Sequence, residues 1–332
     1  MSTEDTLMRP VYLTGIGWDR DLPLHPTAVT GGKARSPEAV EALTGILTRS
    51  RAGEKDPGSM AESAFRDLAG SDPDISGEID FLLVNSTTPI LLMPSTAALL
   101  AGSLFGDRKV PALDVGGSCT GFLVALKTAA ALIGSGGFHR ILIVSLEKKS
   151  VQLCPEHAPE TELLFGDMAT AALVSNCPVP VSGWPAFAIK AIRVGCRGDL
   201  APLIYRETDP CDGRPILRMN GNRVFREAVA LLSREIPEFL ARQGRTTKDL
   251  GAAVFHQANG RLISRLSRRL GLPEERVPLT LTRYGNTSSA SLPLTLGRVL
   301  SGLEPVSDPK MPCLLAAIGG GITYGMALLD TE

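Results

Sequence analysis

The sequence lacks the cysteine and histidine spacings of a metal site or a disulfide scaffold. Its six cysteines include no C-x-x-C pair, and they do not alternate with the four histidines at the spacing of zinc ligands. It also lacks an excess of charge of either sign, since 34 basic and 35 acidic residues leave a net charge of −1. That balance excludes nucleic acid as the main electrostatic partner. We therefore expect no zinc centre, no disulfide framework and no nucleic-acid interface.

The chain also lacks the pattern of an export signal or a membrane span. Its first residues, MSTEDTLMRPVYLTG, have neither the basic region nor the continuous apolar core of a signal peptide. Of two long uncharged runs, residues 81–106 contain two prolines and several polar residues, and residues 311–329 contain four glycines. Neither composition fits a lipid-exposed helix. We expect a soluble protein of the cytoplasm with no membrane contact.

Short apolar strands alternate with helical segments along the chain. DFLLVNS, ALDV, RILIVSL and TAALVSN have the composition of buried strands, and PSTAALLAGSLFG and GFLVALKTAAALIGSG have helical spacing. A second series of helices and strands begins after the proline-rich stretch CPVPVSGWP. A length of 332 residues fits two domains or one domain of two halves. We predict an α/β protein with an N-terminal half over residues 1–178 and a C-terminal half over residues 179–332.

One cysteine lies where a predicted strand turns into a helix. Cys119 stands in DVGGSCTGF, with glycines before it and a helix-like run after it. A helix start presents unpaired N–H groups and a partial positive charge, which stabilise a thiolate and so favour a nucleophile. The glycines permit a strained turn and the close approach of a substrate. The alternative is a small buried residue that fills the corner between strand and helix.

A histidine and an asparagine also lie at the ends of predicted elements. His256 ends the apolar strand AAVFHQA, where a histidine is commonly a buried, hydrogen-bonded group. Asn286, in YGNTSSAS, precedes a helix, where an asparagine commonly caps the N-terminus. Each residue alone therefore has a structural explanation as well as a catalytic one.

Six motifs taken together resemble one family. In chain order they are DVGGSCTGF, FGDMATAALV, MNGNRVF, HQANGRLIS, YGNTSSAS and GGGITYG. This set is similar to that of the β-ketoacyl-acyl-carrier-protein synthase III group of thiolase-fold condensing enzymes, over most of the chain from residue 81 onward. The resemblance implies a thiolase-like, duplicated five-layer α-β-α-β-α fold and a homodimer formed through the N-terminal half.

The resemblance also implies a mechanism. Cys119 would attack an acyl thioester and hold the acyl group covalently, with the backbone N–H groups of Cys119 and Gly320 as the oxyanion hole. His256 and Asn286 would donate hydrogen bonds to the thioester oxygen of malonyl-acyl carrier protein as it loses CO₂. The carbanion would then attack the acyl-cysteine and release a β-ketoacyl product. The substrates are phosphopantetheine-linked, and neither a metal ion nor a redox cofactor is implied.

Acyl carrier protein is the partner that the resemblance implies. Carrier proteins are acidic, so their docking site is expected to have a basic rim. Four arginines occupy positions that are basic in the family and assigned to this docking: Arg226, Arg261, Arg268 and Arg269. The alternative for each is a solvated helix face.

Two departures from the family pattern concern the acyl donor. The family's W-I-x-x-R-T-G-I is PEAVEALTGI here, without the tryptophan, and residues 150–189 contain no arginine or lysine although the family has an arginine shortly before FGD. In the family these two side chains sandwich the adenine of coenzyme A. We therefore hypothesise that the acyl donor arrives on a carrier protein, or on coenzyme A held differently.

Two further departures concern the acyl group. Met93, in LLMPS, stands where the family has a bulky residue that crosses the dimer to the partner's acyl pocket, and a flexible methionine suits a longer or unusual chain. The run SLEKKS is more charged than its family counterpart. We expect Lys148 and Lys149 on the surface, with contact to a carboxylated starter as the alternative. Starter steps of polyketide, alkylated secondary-metabolite and dicarboxylate (pimeloyl) synthesis stay open.

Three other functions are compatible with parts of this pattern. A cysteine hydrolase would use His256 as a base oriented by Asn286, and an acyltransferase of the same fold would pass the acyl group to oxygen or nitrogen. An inactive subunit of a heterodimeric synthase would not need an intact Cys119. Because Cys119, His256 and Asn286 are all intact, the sequence favours carbon–carbon bond formation in a specialised starter step of fatty-acid, polyketide or related metabolism.

Overall fold

A computed structural model describes residues 5, 7, 9–27, 37–70, 72, 74–153, 159–181, 183–208, 213, 215–306 and 312–331. The strands are β1 (Tyr12–Trp18), β2 (Leu24–Pro26), β3 (Thr48–Ser50), β4 (Phe81–Asn85), β5 (Ala112–Asp114), β6 (Arg140–Glu147), β7 (Met168–Ser175), β8 (Phe187–Cys196), β9 (Ile204–Thr208), β10 (Pro215–Met219), β11 (Ala252–Phe255), β12 (Cys313–Gly319) and β13 (Thr323–Asp330). The α-helices are α1 (Pro37–Thr44), α2 (Pro57–Ala69), α3 (Ile75–Glu78), α4 (Thr96–Phe105), α5 (Gly121–Gly134), α6 (Pro159–Glu162), α7 (Gly221–Arg242), α8 (Gly260–Leu270), α9 (Leu281–Tyr284) and α10 (Ser291–Leu300). Within these ranges, none of the helices combines the length and hydrophobicity that crossing a membrane requires.

One sheet of nine strands runs through the molecule in the order β11-β12-β13-β8-β1-β7-β6-β4-β5. On the β1 side, β4 is parallel to β5 and β6, whereas β7 is antiparallel to β6 and β1. On the β8 side, β11 is parallel to β12, whereas β13 is antiparallel to β12 and β8. The strands β8, β11, β12 and β13 thus repeat the places of β1, β4, β6 and β7. The predicted duplication is confirmed, and the boundary after residue 178 stays a prediction within the β7–β8 connection.

Three hydrophobic clusters arrange these elements in five layers. One cluster encloses α5 and α10 between strands of both halves, a second joins α2 and α4 to the N-terminal strands, and a third joins α7 and α8 to the C-terminal strands. The order of layers is therefore helices α2 and α4, N-terminal strands, helices α5 and α10, C-terminal strands, and helices α7 and α8. This is the α-β-α-β-α arrangement that the sequence predicted.

Burial on both faces explains why the central strands are apolar without interruption. In β4, Phe81 and Leu83 face the cluster around α5, while Leu82 and Val84 face the cluster of α2 and α4. A strand covered by helices on both sides needs apolar residues at successive positions, not at alternate ones. The run FLLV therefore indicates a strand of an inner layer.

The elements outside the predicted series are the strands β1, β2 and β3, the hairpin of β9 and β10, and the helices α1, α2, α3, α6 and α9. In β1, the glycines lower the strand propensity, but the tertiary contact requires one of them. A Cβ on Gly17 would lie 2.2 Å from Leu68 N and 2.4 Å from Ala64 O, both in the backbone of α2. Close packing of helix against strand, which cannot be read from local sequence, thus accounts for Gly17.

Gly17→Ala is therefore expected to destabilise the protein by about 1–3 kcal/mol, because α2 must shift away from β1. The free energy of unfolding from urea titrations would measure this loss. Gly77→Ala is the control, since a Cβ on Gly77 would meet nothing within 4 Å. Equal urea concentrations at the midpoint of unfolding for Gly17→Ala and Gly77→Ala would contradict the prediction.

Candidate active site

A strained turn between β5 and α5 presents Cys119. Gly117 has a φ of 136° and Ser118, although not a glycine, has a φ of 54°. A Cβ on Gly117 would lie 2.8 Å from Val124 Cγ2, so the position also requires glycine for space. Residues outside the ordinary backbone regions persist only where the surrounding structure holds them, and they concentrate at functional sites. The sulfur of Cys119 lies 3.4 Å from Ser288 Oγ of the other half.

His256 is held as a neutral hydrogen-bond donor. Its Nδ1 lies 2.7 Å from Ser291 Oγ, and this hydroxyl accepts from Gln257 N at 3.3 Å. We assign the hydroxyl as the donor to Nδ1, and in this assignment the ring proton is on Nε2. Burial, reinforced by the charge of Lys149, lowers the pKa of His256 to about 3.

Asn286 is fixed by the segment that contains FGD. Its backbone N donates to Leu164 O at 2.7 Å, and its carbonyl accepts from Gly166 N at 3.0 Å. The side-chain Oδ1 accepts from Ser288 N at 2.9 Å. Because the oxygen is occupied, the amide nitrogen Nδ2 is the group left to meet a substrate oxygen. A Cβ on Gly166 would lie 2.0 Å from Tyr284 O, which explains the glycine of this motif.

One cavity of about 490 Å³ brings the three residues together. Cys119, His256 and Asn286 all line it, as do Lys149 and Phe165. Each of the three comes from a different element end, namely the start of α5, the end of β11 and the turn before α10. More than half of the chain separates Cys119 from Asn286 in sequence. The packing of one half against the other brings both residues to the same cavity.

Burial and charge act in opposite directions on the thiol. Burial raises the pKa of Cys119, while the charge of Lys149 and the hydrogen bond with Ser288 lower it. The thiolate expected from the helix start alone is therefore opposed by dehydration of the site. Helix α5, whose N-terminal N–H groups follow Cys119, adds to the groups that favour the anion.

The glycine loop after β12 lies against Cys119. A Cβ on Gly319 would be 2.8 Å from Cys119 N. The N–H of Gly320, predicted as the second oxyanion donor, donates to Ser118 Oγ at 3.3 Å. A substrate oxygen that binds there must replace this long hydrogen bond. The oxyanion role of Cys119 and Gly320 stays a prediction.

The structure corrects one expectation about the charged run after β6. Lys148 is partly buried and its Nζ donates to Lys55 O at 3.0 Å, outside the cavity. Lys149, expected on the surface, is only 4% exposed and lines the cavity. The short turn after β6 directs the two neighbouring side chains to different places, and the hydrophobic spacing of the sequence carries no signal for this.

A second groove, of about 520 Å³, adjoins the cavity and is basic along one side. It shares Phe225 and Arg261 with the cavity, and Arg265 and Arg268 line it as well. Arg265 was not among the predicted docking residues, although its spacing from Arg261 and Arg268 puts the three on one face of α8. Two predicted docking residues are exposed but lie outside the groove: Arg226 and Arg269.

Met93 lies away from the cavity of its own chain. Its side chain is 87% exposed, and the neighbouring Leu92 is 93% exposed. Contact of Met93 with an acyl pocket would need a second copy of the chain, and this role stays a prediction.

The fold and the site together define a class: duplicated five-layer α/β proteins with a cysteine, a histidine and an asparagine around one cavity. The 3-oxoacyl-[acyl-carrier-protein] synthase III family model matches residues 113–191, and the model of the C-terminal part of that synthase matches residues 240–331. The β-ketoacyl-[acyl-carrier-protein] synthase III 2 of Deinococcus radiodurans is 34% identical over 301 residues, covering 89% of this chain and 86% of its own. The corresponding synthase III of Methylococcus capsulatus is 34% identical over 307 residues, covering 89% and 90%.

Solved structures of similar fold point to the same family. The priming β-ketosynthase of the R1128 polyketide pathway superposes with a TM-score of 0.83 at 32% identity, covering 98% of both chains. The synthase III of Aquifex aeolicus superposes with a TM-score of 0.82 at 29% identity, covering 96% of this chain and 99% of that one. The chain belongs to the β-ketoacyl-[acyl-carrier-protein] synthase III family, and its thiolase-like fold is confirmed.

The buried state of His256 predicts a ring that stays neutral across the working pH range. With a folded-state pKa of about 3 against 6.5 for the free side chain, NMR of ¹⁵N-labelled histidine is expected to show an Nε2–H ring from pH 8 down to about pH 4. Unfolding restores the ordinary pKa, so the unfolded chain binds a proton that the folded one excludes. His256 therefore stabilises the fold above pH 6.5, and this contribution falls as the pH drops below that value. A ring that titrates near pH 6.5 in the folded protein would contradict this.

Gly319→Ala is expected to abolish or strongly slow acylation of Cys119, because the new Cβ would press on the Cys119 backbone. The rate of acyl-enzyme formation, followed by intact-protein mass, measures the effect. Gly77→Ala serves again as the control, and thermal unfolding shows whether the variant is folded. A folded Gly319→Ala protein that acylates at the wild-type rate would refute the argument.

Proposed function

We propose that this protein catalyses the decarboxylative Claisen condensation of a cysteine-bound acyl group with malonyl-acyl carrier protein. The observation that carries the proposal is the shared cavity, in which Cys119 at a helix start faces the same space as His256 and Asn286. Family membership supports an acyltransferase. The β-ketoacyl product of the condensation would be the first intermediate of fatty-acid or polyketide synthesis.

In the first step, Cys119 would attack the carbonyl carbon of the acyl thioester. The thiol proton goes to the departing carrier thiol, a C–S bond to Cys119 forms and the C–S bond to the carrier breaks. The tetrahedral oxyanion would be met by the N–H groups of Cys119 and Gly320, and one such donor is typically worth about 10²–10³ in rate.

In the second step, the extender thioester would be activated by two neutral donors. Loss of CO₂ leaves an electron pair that spreads onto the thioester oxygen, where Nε2–H of His256 and Nδ2–H of Asn286 would stabilise it. The α-carbon attacks the acyl carbonyl, a C–C bond forms, and Cys119 leaves as the thiolate. The low pKa of His256 supports this role, because a neutral ring donates one hydrogen bond and takes no proton from substrate.

The partner is proposed to be an acidic acyl carrier protein that docks at the basic groove. Arg261, Arg265 and Arg268 face the groove beside the cavity entrance, and complementary charge steers such encounters. A flexible arm could pass from there into the cavity through the part that both share at Phe225 and Arg261. Arg226 and Arg269, which lie outside the groove, are proposed to strengthen the positive electrostatic potential that attracts the carrier protein.

A homodimer through the N-terminal half is also proposed. Strand β5 is the edge of the sheet, and large apolar side chains are exposed on this half: Leu91, Leu92, Met93 and Leu113. An open strand edge beside exposed apolar side chains favours pairing with another chain.

We propose that the acyl donor is carrier-bound and not free coenzyme A. Leu43, in the segment PEAVEALTGI, lines the cavity, and this segment has no tryptophan to stack on adenine. The stretch before FGD has no arginine or lysine, and residues 154–158 lie outside the described part of the chain.

The two half-reactions separate the predicted roles. Cys119→Ala is expected to form no acyl-enzyme, whereas His256→Ala and Asn286→Ala are expected to acylate but to condense about 100-fold more slowly, since each loses a donor to the enolate. Acylation is read from intact mass, and condensation from the β-ketoacyl product after malonyl-acyl carrier protein is added. Cys177→Ala, which removes an exposed thiol, is the control.

Two outcomes would contradict the proposal. An acyl-Cys119 that hydrolyses rapidly in buffer would indicate a hydrolase, and product formation by Cys119→Ala would exclude the covalent route.

A further inference from the structure

Lys149 places a cation inside an otherwise largely apolar cavity. Its side chain is buried, its Nζ lies 5.3 Å from the centre of the Phe165 ring, and both residues line the cavity with Cys119. Apolar neighbours on the same wall include Leu164, Ile204 and Leu217. Burying a lysine is costly unless its charge meets a partner. The question is what that partner is.

The nearest carboxylate is satisfied mainly by other groups. Glu147 Oε2 lies 3.8 Å from Lys149 Nζ, which is longer than a hydrogen bond. Its oxygens accept from Thr87 Oγ1 at 2.5 Å and from Ser289 Oγ at 2.6 Å, and also from the backbone N–H groups of these two residues. Glu147 is therefore a fully bonded structural anion.

Lys149 itself keeps donor capacity toward the cavity. Among the described residues, its Nζ donates one hydrogen bond, to Thr87 Oγ1, which in turn donates to Glu147. An ammonium carries three donors, so two remain for a ligand. Thr87 thus positions Lys149, and Glu147 offsets its charge from 3.8 Å without taking a direct hydrogen bond, so two N–H donors stay available beside the acyl site.

The field of this cation reaches the reacting groups. Burial is the main cause of the shifted pKa at both Cys119 and His256, and the charge of Lys149 is the next cause at each. Because Lys149 and Cys119 line the same cavity, an acyl chain on Cys119 occupies the space that Lys149 faces.

We propose that Lys149 binds the terminal carboxylate of the acyl group, so that the starter is an ω-carboxyacyl thioester, the monothioester of a dicarboxylic acid. This inference rests on the proposed function, because it names the substrate class of the same cysteine. The methylenes of the chain pack on the apolar wall, and the carboxylate meets Lys149, a buried cation of the cavity lining. Such a division, an apolar lining with one convergent charge, is how small-molecule sites combine affinity with specificity.

The carboxylate of the malonyl extender is a second candidate ligand for Lys149. That group must leave as CO₂, and a cation hydrogen-bonded to it would stabilise the ground state more than the transition state. The starter carboxylate survives the reaction, so its binding carries no such penalty. The structure therefore favours the starter as the ligand of Lys149.

Paired donors of equal length test the proposal in the wild-type protein. Succinyl- and butyryl-acyl carrier protein form one pair and glutaryl- and valeryl-acyl carrier protein the other, each differing by a carboxylate in place of a terminal methyl group. Acylation of Cys119 is followed by intact mass over time. We expect the carboxylated member of at least one pair to react faster by roughly tenfold to hundredfold, the usual value of a hydrogen bond to a charged group.

Substitution at the lysine is expected to reverse this preference. In Lys149→Met the carboxylated donors lose their advantage and the uncharged donors react as fast or faster, because the site keeps its volume and loses its charge. Lys149→Arg is expected to retain a preference for carboxylated donors. Lys148→Met is the matched control, since its Nζ bonds Lys55 O outside the cavity, and it is expected to behave as wild type.

Four results would overturn the proposal. These are faster wild-type acylation by the uncharged member of both pairs, equal rates within both pairs, an equal loss for all donors in a folded Lys149→Met protein, and a change confined to the KM for malonyl-acyl carrier protein. The third would show that Lys149 acts on Cys119, and the fourth that it meets the extender. The wild-type comparison tests the substrate class even if Lys149→Met does not fold, and Lys149→Arg then tests the part played by Lys149.

Failure of the proposed function gives a different result. In that case no donor of either pair acylates Cys119, or the acyl-enzyme forms and malonyl-acyl carrier protein does not discharge it. The donor preference and the condensation are therefore measured separately in one experiment.

Discussion

The contact between the nucleophile turn and the glycine loop is the constraint on which the site depends. Thr323 Oγ1, in the C-terminal half, donates to Gly117 O at 3.0 Å and accepts from Thr120 Oγ1 at 2.8 Å. Gly319 lies so close to Cys119 N that no side chain fits. These contacts join the two halves beside Cys119, so the position of its sulfur depends on both halves.

A second set of contacts attaches the asparagine to the N-terminal half. Asp167, fully buried, accepts from Ala52 N at 2.9 Å and from Ser150 N at 2.8 Å. The preceding glycine donates its N–H to the carbonyl of Asn286. The FGD motif thus anchors the loop that carries Asn286. Buried carboxylates satisfied by several N–H groups are suited to this kind of support.

Dehydration gives the site its electrostatic character. It keeps His256 neutral and works against the thiolate of Cys119, and it strengthens the effect of each fixed charge that remains. Glu147 is satisfied by two hydroxyls and two N–H groups, so Lys149 keeps donors for the cavity, which the exposed Arg261 also lines. A condensation that uses neutral donors for an enolate, and one cation for a substrate anion, is consistent with this arrangement.

The sequence by itself determined the α/β class, the inner strands and the three residues of the site. Uninterrupted apolar runs such as FLLV indicate strands buried on both faces, and Cys119, His256 and Asn286 stand in local motifs whose order is specific. The tertiary structure alone decided the need for a glycine at 17, the pairing of His256 with Ser291, and the direction of Lys149. These features depend on atoms from distant segments, and a short turn such as residues 149–152 has no hydrophobic period that could reveal which of two adjacent lysines points inward.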